Sequence, residues 1–214
     1  MEILEIKDLE TLAKKRVPKM FFDYVNSGSW TETTYNENVS DFQKIKLRQR
    51  VAIDMSNRTL ETKMINQPVS MPVAIAPTGL TGMQRADGEI LAAQAAEEFG
   101  IPYTLSTMSV CSIEAVAEKT KKPFWFQLYV MKDKKFMERL IDRAKEAKCS
   151  ALILTLDLQL LGQRHKDLRN GLSTPPKLIP KHIYQVLTRP MWCLRMLTTK
   201  NYFFGNIVGH VEGI

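Results

Sequence analysis

Long apolar runs are missing from this chain: no segment approaches the roughly 18 consecutive apolar residues of a membrane-spanning helix. The opening MEILEIKDLETLAKK is acidic at its start and has no apolar h-region, so it is not expected to be a secretory signal. Cysteine is scarce. Cys111, Cys149 and Cys193 are odd in number and far apart, which argues against a disulfide framework and for free thiols in a reducing compartment such as the cytoplasm. His165, His182 and His210 have no partner at metal-ligand spacing, so no metal site is expected. Neither a G-x-G-x-x-G nor a P-loop is present, so the nucleotide-binding versions of an α/β fold lose weight.

Acid is absent from one segment. Between residues 168 and 211 stand Arg169, Lys177, Lys181, Arg189, Arg195 and Lys200, with no Asp or Glu, which accounts for +6 of the net charge of +7. A nucleic-acid-binding domain would carry a wider basic face, so nucleic acid is not an expected partner. What remains is ordinary: 214 residues, 44% hydrophobic and 25% charged, enough for one sizeable domain with a core.

The pattern divides the chain into three parts. Residues 1–66 read as a helical N-terminal extension. Asp8 is placed to cap LETLAKKRV, Pro18 opens KMFFDYVNSG, and Gly28 follows as a stop. Residues 30–66 are polar and mixed, and read as connecting structure with room for a short strand or helix. From 67 to 160 a strand–helix rhythm sets in. MPVAIAP (71–77) precedes a helix over 84–100 that Gly100 stops. IPYTLST (101–107) precedes a helix from Ser112. KPFWFQLYV (122–130) precedes a helix over 132–148, and SALILTLDL (150–158) follows. Short apolar strands between amphipathic helices imply a parallel sheet with covered faces. Residues 161–214 form a basic connection.

Each apolar run ends on polar residues: Thr78, Ser106 and Thr107, Gln127 and Tyr129, Thr155 and Asp157. In a (β/α) barrel the C-terminal strand ends build the active face, and a doubly wound sheet also binds ligands at that edge. A single polar end merely begins a loop. Four in succession favour a site.

These stretches resemble a known family. APTG (76–79), STMSVCSIE (106–114), FQLYV (126–130) and TLDLQLLGQRHKDLRNG (155–171) are similar to the FMN-dependent α-hydroxy-acid dehydrogenases and oxidases. KMFFDYVNSG, WCLRML and FGNIVGH match as well, and the SVCSIE and LGQRHKDLRNG versions are most similar to the bacterial L-lactate dehydrogenase branch. The resemblance implies a (β/α)8 barrel, here truncated after about the fourth strand. It implies that Pro77, Thr78 and Gly79 lie along the flavin ring, and that Ser106, Gln127 and Thr155 hydrogen-bond it. Tyr24, Tyr129 and Arg164 would contact the substrate, and Asp157 would orient a catalytic histidine. The physical chemistry agrees: a flavin needs a few well-placed donors and acceptors around a flat apolar body, and an Arg fork reads a carboxylate. Taken one at a time, the same residues have plainer readings. Tyr24 could pack on the core, Arg164 could be a solvated cation, Asp157 could cap a helix, and Gln127 and Thr155 could satisfy backbone groups.

The resemblance also implies parts this chain does not hold: a lysine on the fifth strand, the base histidine, a second arginine and the phosphate grip. His210 lies outside the histidine motif and is not a substitute. The expectation is therefore no turnover by this chain alone, and an open half barrel that self-associates through uncovered apolar faces. The implied substrate is an L-2-hydroxy acid, foremost L-lactate, with a quinone or another electron acceptor and a homo-oligomeric parent. The mixed cationic and aromatic segment 175–204 suits an anionic membrane surface at the inner face of the plasma membrane, and it could equally pack on its own barrel. A non-enzymatic gene fragment, a membrane-binding remnant and a split enzyme remain open beside the enzyme reading.

Overall fold

The structure, a computed structural model, describes residues 2–158, 160, 162–172 and 179–210. Gln159 and Leu161 of the long motif, and residues 173–178 of the connection, lie outside the described residues.

The N-terminal extension is helical, with corrections to its ends. Helix α1 (Ile6–Arg16) is capped by Glu5. Asp8 sits inside its first turn instead of ahead of it, where its Oδ2 accepts from the Glu5 N–H at 3.1 Å. This is the reciprocal arm of a capping box. Helix α2 (Lys19–Val25) starts after Pro18 as expected but ends before Gly28. Helix α3 (Thr33–Ser40) and a 3-10 turn (Asp41–Lys44) follow. The stretch read as connecting structure also holds a strand, β1 (Thr62–Met64), which forms a hairpin with β2 (Gln67–Val69) just beyond it. Its turn residues, Ile65 and Asn66, have φ of 46° and 61°, the twist a two-residue hairpin needs.

The strand–helix rhythm folds as β3 (Thr104–Ser106), α6 (Ile113–Lys119), β4 (Trp125–Tyr129), α7 (Lys134–Glu146) and β5 (Ala151–Thr155). The strands form a parallel sheet in the order β3-β4-β5. Ser112 caps α6 by accepting from the Ala115 N–H at 3.1 Å, and Asp133 caps α7 by accepting from Phe136 at 3.0 Å. Two expectations change. The helix expected over 84–100 starts four residues later, as α5 (Gly88–Phe99), because Asp87 ahead of it takes a φ of 55°, and a separate short helix α4 (Thr81–Gln84) precedes it. Gly100 does end α5, in the left-handed conformation, donating to the Ala96 carbonyl at 2.9 Å. The first expected strand, 71–77, makes one parallel bridge only, Ile75 to Tyr103. Pro72 and Pro77 have no N–H to give a ladder, which confines the pairing to the centre of the segment.

The sheet has two faces. Leu105, Phe126 and Leu128 face α5, α6 and α7, and pack with Ala93, Ile113, Val116, Phe136 and Leu140 into the core. Leu152 and Leu154 share that face by register but are 46% and 51% exposed. The opposite face carries Thr104, Ser106, Trp125, Gln127, Tyr129, Ile153 and Thr155, by alternation along paired strands.

The basic connection folds back on the N-terminal extension through α8 (His165–Asn170), α9 (Pro180–Leu187) and α10 (Pro190–Met196). Gln185 accepts from the Met20 N–H at 2.9 Å, and Asn170 donates to Asp23 at 2.7 Å. Trp192 stacks on Phe21 with ring centres 5.7 Å apart and donates to the Met83 carbonyl at 2.8 Å. One side of the connection thus packs on its own domain. Tyr184, Leu187, Met191, Leu194, Leu197 and Phe203 remain exposed on it.

Candidate active site

The polar strand ends come together on the face opposite the helices. Gln127 is fully buried at the centre of β4. Its Nε2 donates to Thr155 Oγ1 at 2.7 Å on β5, and its Oε1 accepts from Ser106 Oγ at 3.2 Å on β3. Three strands are therefore joined by one chain of neutral polar side chains, all on one face because parallel register puts them there. Thr107 adds a hydroxyl that donates to the Gln127 carbonyl at 2.6 Å. The arrangement offers donors and acceptors without charge, which suits a flat heterocycle with polar edges.

Beside it the bridging segment meets α2. Pro77 and Thr78 are exposed, and the Thr78 carbonyl accepts from Thr81 Oγ1 at 3.1 Å. A Cβ added at Gly79 would lie 3.0 Å from the Tyr24 hydroxyl and 3.2 Å from Met108 Cβ. Glycine is what allows the segment between these two side chains. Leu80 donates its N–H to the Met108 carbonyl at 3.1 Å, which ties this turn to the one after β3. Tyr129, at the end of β4, is half-buried. Burial raises its phenol above the ordinary range, and nearby Tyr24 and Asp157 add to the rise. Burial also raises the Tyr24 phenol, against the opposing pull of Arg164. Both are therefore protonated donors at neutral pH. Asp157 is exposed, two residues beyond the end of β5.

Arg164 stands just before α8 and holds α2. Its guanidinium lies over the Tyr24 ring, 4.7 Å from the centre, and donates to the Tyr24 carbonyl and to Ser27 Oγ, the latter at 2.9 Å. Its Nε is 3.2 Å from Asp167 Oδ2, a Coulombic contact without hydrogen-bond alignment. Burial raises the Asp167 carboxyl, with Arg164 pulling the other way. Tyr24 and Arg164, 140 residues apart, are thus one stacked unit.

Other features lie away from this edge. A cavity of about 260 Å³ opens near Gln67, Gly100 and Phe124, at the N-terminal strand ends. A smaller one, about 210 Å³, reaches Thr78 and is lined by Val25, Ile75 and Tyr103. Neither cavity is lined by Ser106, Gln127 or Thr155. His165 packs edge-on against Trp30, His182 contacts the Asn170 carbonyl at 2.7 Å, and His210 lies beside Arg139 and Arg143. Among the described residues no group of three His, Cys, Asp or Glu could hold a metal ion, and no helix is long and apolar enough to cross a membrane.

Sequence reasoning gave no role to Met108, Trp125 or Asn206. Met108 pinches Gly79. The Trp125 indole N–H is buried on the Gln127 face without an acceptor among the described residues. Asn206 is buried behind the loop that follows β3. Their signal was weak: Trp125 reads as an apolar strand residue, and Asn206 lies far along the connection.

Comparison with known proteins gives a consistent result. The FMN-dependent dehydrogenase profile matches residues 13–211. The chain is 44% identical over 208 residues to an L-lactate dehydrogenase of Acinetobacter baylyi, covering 97% of this chain and 54% of that protein. It is 42% identical over 201 residues to an L-lactate dehydrogenase of Vibrio parahaemolyticus, covering 94% and 53%. The chain spans about half the length of the curated relatives it matches. Among solved structures, a monotopic membrane protein, (S)-mandelate dehydrogenase, superposes with a TM-score of 0.89 at 31% identity, over 97% of this chain and 56% of that one. A lactate oxidase of Pediococcus acidilactici superposes with a TM-score of 0.77 at 30% identity, over 87% and 52%. These neighbours are (β/α)8 barrels, and this chain shares their α/β arrangement over about half their length. With its profile matched over residues 13–211, the chain belongs to the FMN-dependent dehydrogenase family.

Proposed function

We propose that this chain provides the ring-binding edge and part of the substrate site of an FMN-dependent L-2-hydroxy-acid dehydrogenase, with L-lactate as the substrate. The observation that carries this is the buried Ser106–Gln127–Thr155 chain of side chains across three strands. Its carboxamide and hydroxyls have the neutral donor and acceptor character that the polar edge of a flavin requires. Gly79, packed without a Cβ between Tyr24 and Met108, fixes the backbone of residues 77–79 at the edge of this site, where a ring would lie along it. The residues present therefore fit the group. When bound, FMN supplies the electron sink for the oxidation.

The remaining assignments follow from local chemistry. Tyr129 and Tyr24, held protonated by burial, donate hydrogen bonds to the substrate's hydroxyl and carboxylate oxygens. Arg164, stacked on Tyr24, fixes that phenol and provides the positive charge a carboxylate seeks. Asp157 keeps a carboxylate at the strand end, where it orients the base and stabilises the base's protonated form. The base and the phosphate grip that the family resemblance implies lie outside the motifs present here; the chain spans 54% of one L-lactate dehydrogenase relative.

The connection suggests where the electrons go. Its exposed Tyr184, Leu187, Leu194, Leu197 and Phe203 stand among Lys181, Arg195 and Lys200, with no acid. This surface suits an anionic leaflet, so we assign peripheral contact at the inner face of the plasma membrane and transfer to a quinone or a similar acceptor. That one structural neighbour is a monotopic (S)-mandelate dehydrogenase supports the reading.

The test is reconstitution with FMN. Quenched flavin fluorescence and a retained visible absorbance band are expected, and L-lactate should perturb that band. A chain that retains no flavin refutes the ring-binding assignment. Co-sedimentation with phosphatidylserine vesicles at low salt tests the membrane surface, and its failure removes that assignment alone.

A further inference from the structure

Far along the basic connection the chain returns to the sheet and inserts Gly205 and Asn206 behind the loop that follows β3. Gly205 donates its N–H to the Ser109 and Val110 carbonyls, each at 3.2 Å. A Cβ there would lie 2.7 Å from both the Ser112 nitrogen and the Val110 oxygen. Nothing but glycine allows main chain to lie this close to main chain. Asn206 comes next, with no exposed surface.

The Asn206 carboxamide is used at both ends. Its Nδ2 donates to Ser109 Oγ at 2.9 Å and to the Ser106 carbonyl at 3.3 Å. Its Oδ1 accepts from the Ile113 N–H at 2.9 Å and from Arg143 at 3.3 Å. Arg143 also donates to the Asn206 carbonyl at 3.3 Å. Asn206 thereby spans the loop 106–112, from the end of β3 to the first turn of α6. That loop carries Ser106, which bonds Gln127, and Met108, which accepts from Leu80 and borders Gly79. Asn206 bonds Ser106, Ser109 and Ile113 directly, and so flanks Thr107 and Met108, which bond Gln127 and Leu80.

We propose that Asn206 is a positioning residue for the flavin ring, holding the loop 106–112 so that Ser106, Gln127 and Met108 present one fixed edge. This rests on the flavin reading above. It also joins the connection to the cofactor site, because Asn206 belongs to the connection and bonds the loop after β3 directly.

Two substitutions separate bracing from simple space filling. Asn206→Asp keeps the Oδ1 acceptor for Ile113 and Arg143 but replaces the Nδ2 donor with an oxygen. That oxygen meets the Ser106 carbonyl and Ser109 Oγ, whose own proton is already given to the Cys111 carbonyl at 2.7 Å. Asn206→Ala removes both ends. Amide hydrogen exchange of the apo chain is followed by NMR, and FMN affinity by fluorescence quenching. In Asn206→Ala the Met108 and Ile113 amides are expected to exchange about ten-fold faster. In Asn206→Asp only Met108 does so. Leu140 and Ala144 in α7 serve as unchanged controls. FMN affinity is expected to fall about ten-fold in both variants. If Asn206→Ala fails to fold, Ser109→Ala, which removes one acceptor, should still loosen Met108. Unchanged exchange across 106–113 overturns the brace, and faster exchange with unchanged FMN affinity overturns its link to the flavin. A wild-type chain that binds no FMN overturns the flavin reading and leaves the exchange data to decide the brace.

Discussion

Gln127→Met is the most direct probe of the ring-binding edge. Methionine keeps the length and volume of glutamine and loses its polar end, so little cavity is expected. The structure identifies which groups lose a partner. The Thr107 N–H keeps the Gln127 main-chain carbonyl at 3.1 Å, and the Thr107 hydroxyl keeps the same carbonyl at 2.6 Å. Thr155 is half-buried, so water replaces the lost donor. Only the buried Ser106 hydroxyl loses its acceptor, while still accepting from the Met108 N–H at 3.1 Å. One orphaned buried hydroxyl costs about 1–2 kcal/mol. Urea denaturation at neutral pH should show that loss, and FMN affinity should fall about ten-fold as the ring loses a carboxamide partner. Unchanged FMN affinity would refute the ring assignment. A stability loss above about 3 kcal/mol would show that Gln127 is chiefly a structural cross-link.

Four further outcomes are expected. Arg143 grips Glu114 through two bonds of 2.6 and 2.8 Å, which holds its carboxyl at about 2 against an ordinary 4.5. A carboxyl depressed by folding contributes stability above its unfolded value and loses it as pH falls toward the folded one. Because Glu114 is 55% exposed, screening limits the contribution to about 1 kcal/mol, and Glu114→Gln should flatten the acid-side slope by that amount in urea melts taken from pH 5 down to about 2; an unchanged slope would contradict the pairing. Gly205→Ala should cost about 2 kcal/mol, since its Cβ meets backbone on two sides and no side chain can swing away; a change within error in the same melts would count against the close approach. Trp192→Ala should cost about 2 kcal/mol by calorimetry, because Trp192 stacks on Phe21 and bonds Met83; an unaffected melt would place Trp192 on the outer surface. Leu152→Thr with Leu154→Lys should weaken self-association about ten-fold in sedimentation velocity, because both side chains are exposed on the core-facing side of β5; an unchanged distribution would assign association to another surface.

The strand–helix rhythm was legible because each element buries one face and obeys one period. Ser112 and Gly100 act as the helix signals they resemble, since caps are local and depend on neighbours three or four residues away. Local signals failed where two rules competed. Asp8 is a good capping residue, but Glu5 takes the cap and Asp8 completes the box. The 71–77 segment is apolar enough for a strand, yet its prolines leave only Ile75 to pair. The helix over 84–100 has an unbroken periodicity, but the chain turns at Asp87, whose Oδ1 accepts from Thr199 at 2.6 Å and Asn201 at 2.7 Å.

By itself the sequence determined the family motifs, the α/β rhythm and the residue types at the strand ends, because these depend on composition and short spacing. Tertiary structure decided how those residues meet. Parallel register is what places Ser106, Gln127 and Thr155 on one face in mutual contact. Arg164 reaches Tyr24 across 140 residues, and Asn206 reaches Ser106 across 100. Contacts at that separation leave no periodic trace in the chain, since they arise only when packing brings distant backbone together and buries the polar groups that must then find partners.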